Sequence, residues 1–338
     1  MKIYSLDCTL RDGGNFNNWF FSNEDIYHII TNLDQAGIDI IEIGYIGGSG
    51  SNKAKSVGSV ANCSPEFLNK LPQTKQAELA LMVVPSVCEL SKLHDIDPQL
   101  VPWIRVASYP QSVENALPYV EYLKNRGFQV SFNLMAASYV NHKEIVEIAK
   151  ESHSAGADVF YMADSYGALN PDDVGKRIRS IVNEVHCQVG FHGHNNLGLA
   201  FPNALEALNS GASFIDTSLC GMARGAGNLP TEQFISTMNH WNKYDMKHKI
   251  DPLLKAAEYV LHSIIKSPLK ISKPEIICGL SNIHYYFYDL IASKCKENNL
   301  NLLEVSQLLG KTLPEKVDHS YIDSVINQIL DRSVTYES

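Results

Sequence analysis

Two histidines spaced two residues apart, His192 and His194, are the best candidates in this chain for binding a metal. They end a strand-like run that begins at Gln188, and residues two apart in a strand point to the same face. Neutral imidazole nitrogen is a good ligand for divalent transition metals. The pair therefore predicts part of a metal site, which a carboxylate would complete.

Asp12, which follows the first strand-like run, could supply that carboxylate. If the strands close into a barrel, the first and last are neighbours, so the loop after strand one can reach the end of strand seven. Asp12, His192 and His194 would leave metal positions open for water or substrate. Such ligation suits Mn²⁺ or Mg²⁺ first, with Co²⁺, Zn²⁺ or Fe²⁺ as alternatives. The competing interpretation is that Asp12 caps a turn and the histidines are ordinary polar residues.

Arg11, beside Asp12, would bring a fixed positive charge to this site. A guanidinium does not lose its proton under ordinary conditions. Close to a metal, it would stabilise an enolate or alkoxide that develops on a bound oxo acid. We therefore predict a catalytic role for Arg11, the alternative being a structural salt bridge, for example to Glu42.

Polar residues after two other predicted strands could also contribute. Asn228 ends a glycine-rich run at 221–228, and it could be a fourth, neutral oxygen ligand or a partner that orients a histidine. Ser165 follows Asp164, and its hydroxyl and backbone amide could hold a substrate carboxylate. The alternative for Asp164 and Ser165 is an Asx-type turn.

The elements that would position these residues alternate between strand and helix up to about residue 240. Strands are predicted at 2–8, 39–43, 79–83, 103–107, 129–134, 159–163, 188–191 and 214–216, and helices at 23–36, 113–125, 143–154, 171–184 and 199–210. This order and length predict a (β/α)₈ TIM barrel, in which the loops after the strands build the active site. An open doubly wound sheet is the alternative, but no Gly-x-Gly-x-x-Gly follows the first strand.

The remainder of the chain has a different pattern. Helices are predicted at 251–266, 283–297, 302–309 and 321–331. We therefore predict a TIM-barrel catalytic domain at 1–244 and a helical C-terminal region at 245–338. The apolar content of that region predicts packing against the barrel, against a second copy in a homo-oligomer, or both.

Composition narrows the classes of partner. The chain has 338 residues, is 45% hydrophobic and carries a formal net charge of −9, without a basic run that would favour nucleic acid or a membrane surface. Its seven cysteines form no Cys-x-x-Cys pair, and no signal peptide or membrane span is evident. We expect a cytoplasmic protein that acts on small molecules.

Four separated motifs in this order resemble those of a known family. They are Thr9-Leu10-Arg11-Asp12-Gly13, Asp164-Ser165-x-Gly167, His192-x-His194-Asn195-Asn196-Leu197-Gly198 and Gly225-x-Gly227-Asn228. They are similar to motifs of the HMG-CoA-lyase-like, or pyruvate-carboxyltransferase-like, superfamily of metal-dependent barrels. Within that superfamily, the longer matches around Ala163–Ala168 and Ser218–Asn228 most resemble the 4-hydroxy-2-oxovalerate aldolases.

The resemblance implies a mechanism. Asp12, His192 and His194 would bind a divalent metal, which a 2-oxo acid chelates through its carboxylate and keto oxygens with help from Ser165. Arg11 would stabilise the pyruvate enolate that is released or consumed when the carbon–carbon bond breaks or forms.

Two positions depart from the aldolase pattern. Asn15 stands where the aldolases have a histidine that serves as the catalytic base, and an amide nitrogen is not basic. His284 falls where they have a tyrosine from the C-terminal helices, and we predict it as an acid or base in this chain.

Three hypotheses follow. The first is a divalent-metal-dependent aldolase that cleaves or forms a 4-hydroxy-2-oxo acid from a 2-oxo acid and an aldehyde, with the loop at 45–51 contributing to the choice of aldehyde. The second is a Claisen-type synthase that joins an acyl-CoA to a 2-oxo acid, although its Gly-x-Gly-Glu-Arg loop is absent. The third is a catalytically reduced barrel that acts as a binding subunit, which Asn15 would favour.

Overall fold

The chain forms a closed barrel of eight parallel strands, as a computed structural model shows. Residues 2–49, 56–242, 244, 246–311 and 319–336 are described. The strands are β1 Tyr4–Asp7, β2 Ile40–Ile46, β3 Glu78–Val83, β4 Trp103–Ser108, β5 Gln129–Leu134, β6 Val159–Asp164, β7 Gln188–Gly193 and β8 Phe214–Thr217. β1 pairs with both β2 and β8, so the first and last strands are neighbours. The predicted TIM barrel is confirmed.

Helices surround the barrel and continue beyond it. Up to residue 241 they are α1 Gly14–Asn17, α2 Asn23–Ala36, α3 Pro65–Leu68, α4 Val113–Asn125, α5 His142–Ser154, α6 Pro171–Glu184, α7 Ala200–Asn209 and α8 Thr231–Trp241. They are followed by α9 Ile250–Tyr259, α10 Lys273–Ser281, α11 Tyr288–Glu297, α12 Leu302–Leu309 and α13 His319–Tyr336. A π-helical turn, Val260–Ile265, extends α9, and a 3₁₀ turn, Tyr285–Phe287, precedes α11.

Four α-helices were not among those predicted: the four-residue helices α1 and α3, and the longer α8 and α10. The signal for α10 is nevertheless present in the sequence, because Ser272 and Glu275 form a capping box at its start. The carboxylate of Glu275 accepts the Ser272 backbone N–H at 2.8 Å. The predicted segment 283–297 is a 3₁₀ turn followed by a shorter α-helix.

The barrel interior changes from apolar to charged along its axis. Side chains that point inward recur every second residue on a strand. Ile40, Trp103 and Phe214 belong to an apolar cluster that fills the interior. Two residues further along the same strands are Glu42, Arg105 and Asp216, all buried. The charged layer thus lies toward the carboxyl ends of the strands, where the active sites of such barrels are built.

The C-terminal helices pack over that end of the barrel and also have a core of their own. That core contains Cys278, Ile283, Ile291, Cys295, Val305, Leu309, Ile322 and Ile326. The Tyr139 hydroxyl, in the loop after β5, donates to the backbone oxygen of Asn282 at 2.7 Å. Gly279 lies so close to Leu197, after β7, that a Cβ there would be 2.7 Å from the leucine Cγ. The predicted packing against the barrel is therefore present, and the domain division after residue 244 stays a prediction.

Among the described residues, no helix is long and apolar enough to cross a membrane. The seven cysteines are free thiols.

Candidate metal centre and active site

Three buried ligand atoms meet at the mouth of the barrel. Asp12 Oδ2 is 3.7 Å from His192 Nε2 and 3.6 Å from His194 Nε2, and the two imidazole nitrogens are 3.4 Å apart. Ligand atoms that share one ion at about 2.0–2.2 Å lie roughly 3–3.5 Å from one another. The three side chains predicted as ligands therefore fit a single divalent metal ion, with only a small inward shift.

The turn after β1 fixes the carboxylate of this group. The Asp12 backbone N–H donates to Cys8 O at 2.8 Å, which closes one helical turn directly after the strand. Gly13 completes the turn, because a Cβ at this position would stand 2.1 Å from the backbone oxygen of Thr9. No side chain larger than glycine fits there without moving the turn that holds Asp12.

His192 is oriented by a residue from the neighbouring strand. Its Nδ1 lies 3.0 Å from Asp216 Oδ2 on β8. An Nδ1–H that donates to this carboxylate leaves the Nε2 lone pair facing Asp12 and His194, as metal ligation requires. A carboxylate behind a histidine ligand also raises the basicity of the ligating nitrogen.

Two arginines connect the carboxylates of the site. Arg11 donates through Nε to Glu42 at 2.7 Å and through Nη1 to Asp12 Oδ1 at 2.9 Å. Arg105, fully buried, donates to the same Glu42 oxygen at 2.8 Å and to Asp216 at 2.7 Å. The salt bridge between Arg11 and Glu42 that the sequence suggested is present, and Arg11 also contacts the metal-site carboxylate.

The arginines decide the protonation of the two carboxylates. Burial acts to raise the pKa of Asp12, yet the Arg11 guanidinium holds that pKa well below its usual 3.8. Burial likewise opposes ionisation of Asp216, and Arg105 lowers the pKa of its carboxyl. Burial, with help from Arg224, holds the pKa of His194 well below 6.5. Two ionised carboxylates and a neutral imidazole suit a divalent cation.

Asn228 lies against the same carboxylate. Its Nδ2 donates to Asp12 Oδ2 at 2.7 Å, and a β-bridge joins its backbone to that of His194. Its Oδ1 is buried without a hydrogen-bond partner among the described residues. This acceptor belongs to a side chain that contacts a predicted ligand, and a bound cation would be one partner for it.

Ser165 stands on the loop after β6 and faces the cavity. Its Oγ accepts the backbone N–H of Ala136 at 2.9 Å, which leaves its own O–H free to donate. The neighbouring Asp164 forms the turn that the sequence suggested, because its carboxylate accepts the N–H groups of Ala168 and Leu169 at 3.0 and 3.1 Å.

His284 and Asn15 occupy different places around the site. His284 lines the cavity, and its Nδ1 accepts the Tyr286 backbone N–H at 3.1 Å. Burial, reinforced by Arg224, lowers the pKa of His284 to about 3. Asn15 instead donates to the backbone oxygen and Oδ1 of Asp12 at 3.0 and 3.2 Å, so it supports the carboxylate.

One cavity of about 450 Å³ is lined by the following residues of the site: Arg11, Asp12, Ser165, His192, His194, Asp216, Arg224 and His284. Its walls come from the strand ends and from the C-terminal helices. Tyr45 and Ser49 of the predicted 45–51 loop line it as well, whereas Gly50 and Ser51 lie outside the described residues.

Arg105, Asp216 and Arg224 were not predicted as site residues. Arg224 lies within the glycine-rich run, where its Nη2 donates to Ser165 O at 3.2 Å and its Nη1 is 3.6 Å from Asp12 Oδ1. A signal for Arg105 was available, because an arginine in an otherwise apolar strand needs a buried carboxylate partner.

Comparisons with known proteins agree with this arrangement. A protein-family model described as HMGL-like matches residues 2–260. The chain is 28% identical over 338 residues to 4-hydroxy-2-oxovalerate aldolase 2 of Rhodococcus jostii (strain RHA1), with 100% of this chain and 97% of that protein covered. It is 30% identical over 291 residues to the 4-hydroxy-2-oxovalerate aldolase of Pseudoalteromonas translucida (strain TAC 125), with coverage of 85% and 83%.

A solved structure gives the same fold. The N-terminal domain of a Bacteroides vulgatus protein, provisionally classed as an aldolase, matches with a TM-score of 0.76 at 27% identity, over 88% of this chain and 98% of that domain. The two 4-hydroxy-2-oxovalerate aldolases match 100% and 85% of this chain, so both matches extend beyond the barrel into the C-terminal helices.

Proposed function

Since the chain belongs to the HMGL-like family, we propose that this metal-dependent aldolase cleaves or forms a 4-hydroxy-2-oxo acid through a pyruvate enolate. The observation that carries the proposal is the convergence of Asp12, His192 and His194 beside Arg11 in one cavity. The names of the relatives, 4-hydroxy-2-oxovalerate aldolases, support this class of substrate.

In the cleavage direction, the bond between C3 and C4 breaks and the C4 hydroxyl loses its proton, which gives an aldehyde. The bonding electrons pass to the 2-oxo acid as an enolate, which is then protonated at C3. A divalent metal held by Asp12, His192 and His194 would supply Lewis-acid polarisation of the keto oxygen. Mn²⁺ or Mg²⁺ suits this mixed ligand set, and the amide oxygen of Asn228 would be a fourth ligand.

Arg11 would stabilise the negative charge that develops on the enolate oxygen. Its Nε and one Nη1 hydrogen are already directed to Glu42 and Asp12, which holds the guanidinium plane in place before substrate binds. Donors that are fixed in advance need no reorganisation when charge develops, and this is the main source of their effect on rate.

Ser165 and Arg224 would hold the substrate carboxylate. The Ser165 hydroxyl has a hydrogen to donate, and Arg224 is hydrogen bonded to the backbone oxygen of the same residue. Arg224 is the less completely neutralised arginine, because Asp12, its salt-bridge partner at 3.6 Å, is bonded more closely to Arg11. An anionic group on the substrate would supply the missing counter-charge.

His284 would act at the C4 oxygen as a hydrogen-bond donor, and the proton that the C4 hydroxyl loses on cleavage would pass to a water molecule, which returns a proton to C3 of the enolate. Because its Nδ1 accepts the Tyr286 N–H, the neutral ring carries its proton on Nε2. This N–H can donate to an alkoxide or aldehyde oxygen. The assignment leaves Asn15 with a supporting role at Asp12, where its amide is already hydrogen bonded.

The test is pyruvate release from 4-hydroxy-2-oxovalerate by protein treated with a chelator and then supplied with Mn²⁺ or Mg²⁺. We expect release only with metal, and loss of both metal binding and release in His192→Ala. His186→Ala, an exposed histidine just before β7, is the matched control and should retain both. Absence of pyruvate with any divalent metal would overturn the proposal. Release of free CoA from acetyl-CoA and a 2-oxo acid would point to the synthase instead.

A further inference from the structure

The cavity over the metal site continues well beyond it, between the barrel loops and the C-terminal helices. We propose that this distal part binds the aldehyde half of the substrate and that this half carries an extended apolar group. The inference rests on the proposed aldolase function and names the class of aldehyde that the site accepts.

The wall that the C-terminal region contributes is mainly apolar. We call the following residues of this region the C-terminal wall: Ile283, Phe287, Ile291, Leu309 and Ile322. The barrel adds apolar side chains to the same cavity, namely Met82, Val84, Val87 and Met135. Contact with an alkyl or aryl group would therefore remove this surface from water, with a favourable free energy of about 25 cal/mol per Å² of apolar area.

Charge is confined to the other end of the cavity. Among the described residues that line it, the ionised carboxylates and the arginines are Arg11, Asp12, Asp216 and Arg224. Three of them are joined to the metal site by the contacts above, and Arg224 is 3.6 Å from Asp12. None comes from the C-terminal region as described. A charged group on the distal half of the substrate would therefore lose water without gaining an ion pair, which is costly.

The size of the cavity points the same way. Pockets for drug-sized molecules measure about 300–1,000 Å³, and this one measures about 450 Å³. A hydroxy-oxo acid with the short chain of valerate would occupy its metal end and leave the C-terminal wall uncovered. An apolar chain that continues from C4 would cover that wall.

Linear 2-oxo acids of increasing length test this directly, because their chains follow the carbon skeleton of the substrate without needing the reaction to occur. Calorimetric titration of the Mn²⁺-loaded protein with the series from pyruvate to 2-oxooctanoate should show affinity rising by about fourfold for each added methylene. The same affinity along the series, or affinity that falls, would overturn the inference.

Val87→Asp tests the location of the binding surface. Val87 is 41% exposed, so a carboxylate at this position should not disturb folding, and it would place a charge on the apolar surface. We expect the gain of affinity with length to disappear in this variant. Val182→Asp on α6, 37% exposed and outside the cavity lining, is the matched control and should retain the gain. An unchanged gain in Val87→Asp would contradict the inference.

The two proposals can fail separately. Pyruvate release combined with an affinity that does not rise with length would leave the aldolase function standing and remove the apolar aldehyde. A protein that binds none of these 2-oxo acids would overturn both.

Discussion

The two ends of the cavity are held in place by different interactions. At the metal end, Asp12, Glu42 and Asp216 are bound by two arginines at 2.7–2.9 Å, and Arg105 on β4 joins Glu42 on β2 to Asp216 on β8. The C-terminal wall consists of apolar side chains that also form the separate core of the C-terminal helices.

This difference suggests a division of roles. Hydrogen-bonded ion pairs fix direction and distance, as a reaction centre needs. Apolar packing determines the volume of the cavity and keeps water out of it. Such packing tolerates substitutions that conserve the size of the side chain. The barrel would therefore determine which bond is broken, and the C-terminal helices would determine which aldehyde is accepted. Substitutions at the two ends should therefore have effects of different magnitude, and they should change different properties of the protein.

The largest effect is expected for Arg105→Met. Removing one member of a buried ion pair costs about 3–5 kcal/mol of folding stability, because the carboxylates stay buried without their partner. Urea unfolding should show this loss. Lys124→Met is the matched control, since Lys124 pairs with Asp158 at 2.7 Å but is 31% exposed, and it should cost at most about 1 kcal/mol. Equal losses in the two variants would show that the buried ion pairs of the metal end contribute no more to folding stability than a partly exposed pair.

Arg11→Lys should slow the reaction while the metal still binds. A lysine keeps the charge but lacks the planar fork that reaches Glu42 and Asp12 together. Loss of one oriented donor at a developing oxyanion typically lowers kcat by about 10²–10³-fold. Steady-state kinetics at saturating Mn²⁺ would measure it. An unchanged kcat would assign Arg11 a purely structural role.

Asp216→Asn should weaken the metal site without removing a ligand. The amide cannot match the carboxylate behind His192 or balance Arg105, so the orientation and basicity of the histidine are reduced. Substitution of a residue that is hydrogen bonded to a metal-ligating histidine typically lowers metal affinity by about 10–100-fold. Competition with a coloured chelator would measure the dissociation constant for Zn²⁺. The same affinity as in the unmodified protein would show that Asp216 does not act through His192.

The smallest effect is expected for Ile291→Val in the C-terminal wall. Loss of one methylene from a buried position costs about 0.5–1.5 kcal/mol of stability. Binding of 2-oxooctanoate should weaken more than binding of pyruvate, because only the longer acid reaches the wall. Titration with both acids would show the difference, and equal weakening would place Ile291 away from the distal chain.

The sequence was sufficient for the barrel and the metal group because both follow from short-range or topological rules. Alternation along β7 puts His192 and His194 on one face, and closure between β1 and β8 brings Asp12 to them. Arg105 could not be placed in the same way. Its neutralisation depends on Glu42 and Asp216, which are 63 and 111 residues away.

The C-terminal wall could not be predicted from the sequence, for a related reason. The pattern predicts helices with apolar faces, and part of each face packs within the C-terminal region itself. Whether Ile291 or Leu309 also faces the barrel depends on how the helices dock, as with the close approach of Gly279 to Leu197. No local pattern encodes that approach.

The central claim is that this metal site stabilises a pyruvate enolate, and exchange at the methyl group of pyruvate in deuterated water tests it without any aldehyde. Proton NMR should show that the methyl signal disappears when protein loaded with diamagnetic Mg²⁺ is present. Exchange should stop after chelation and in His194→Ala. A methyl signal that persists with every divalent metal would contradict the enolate mechanism.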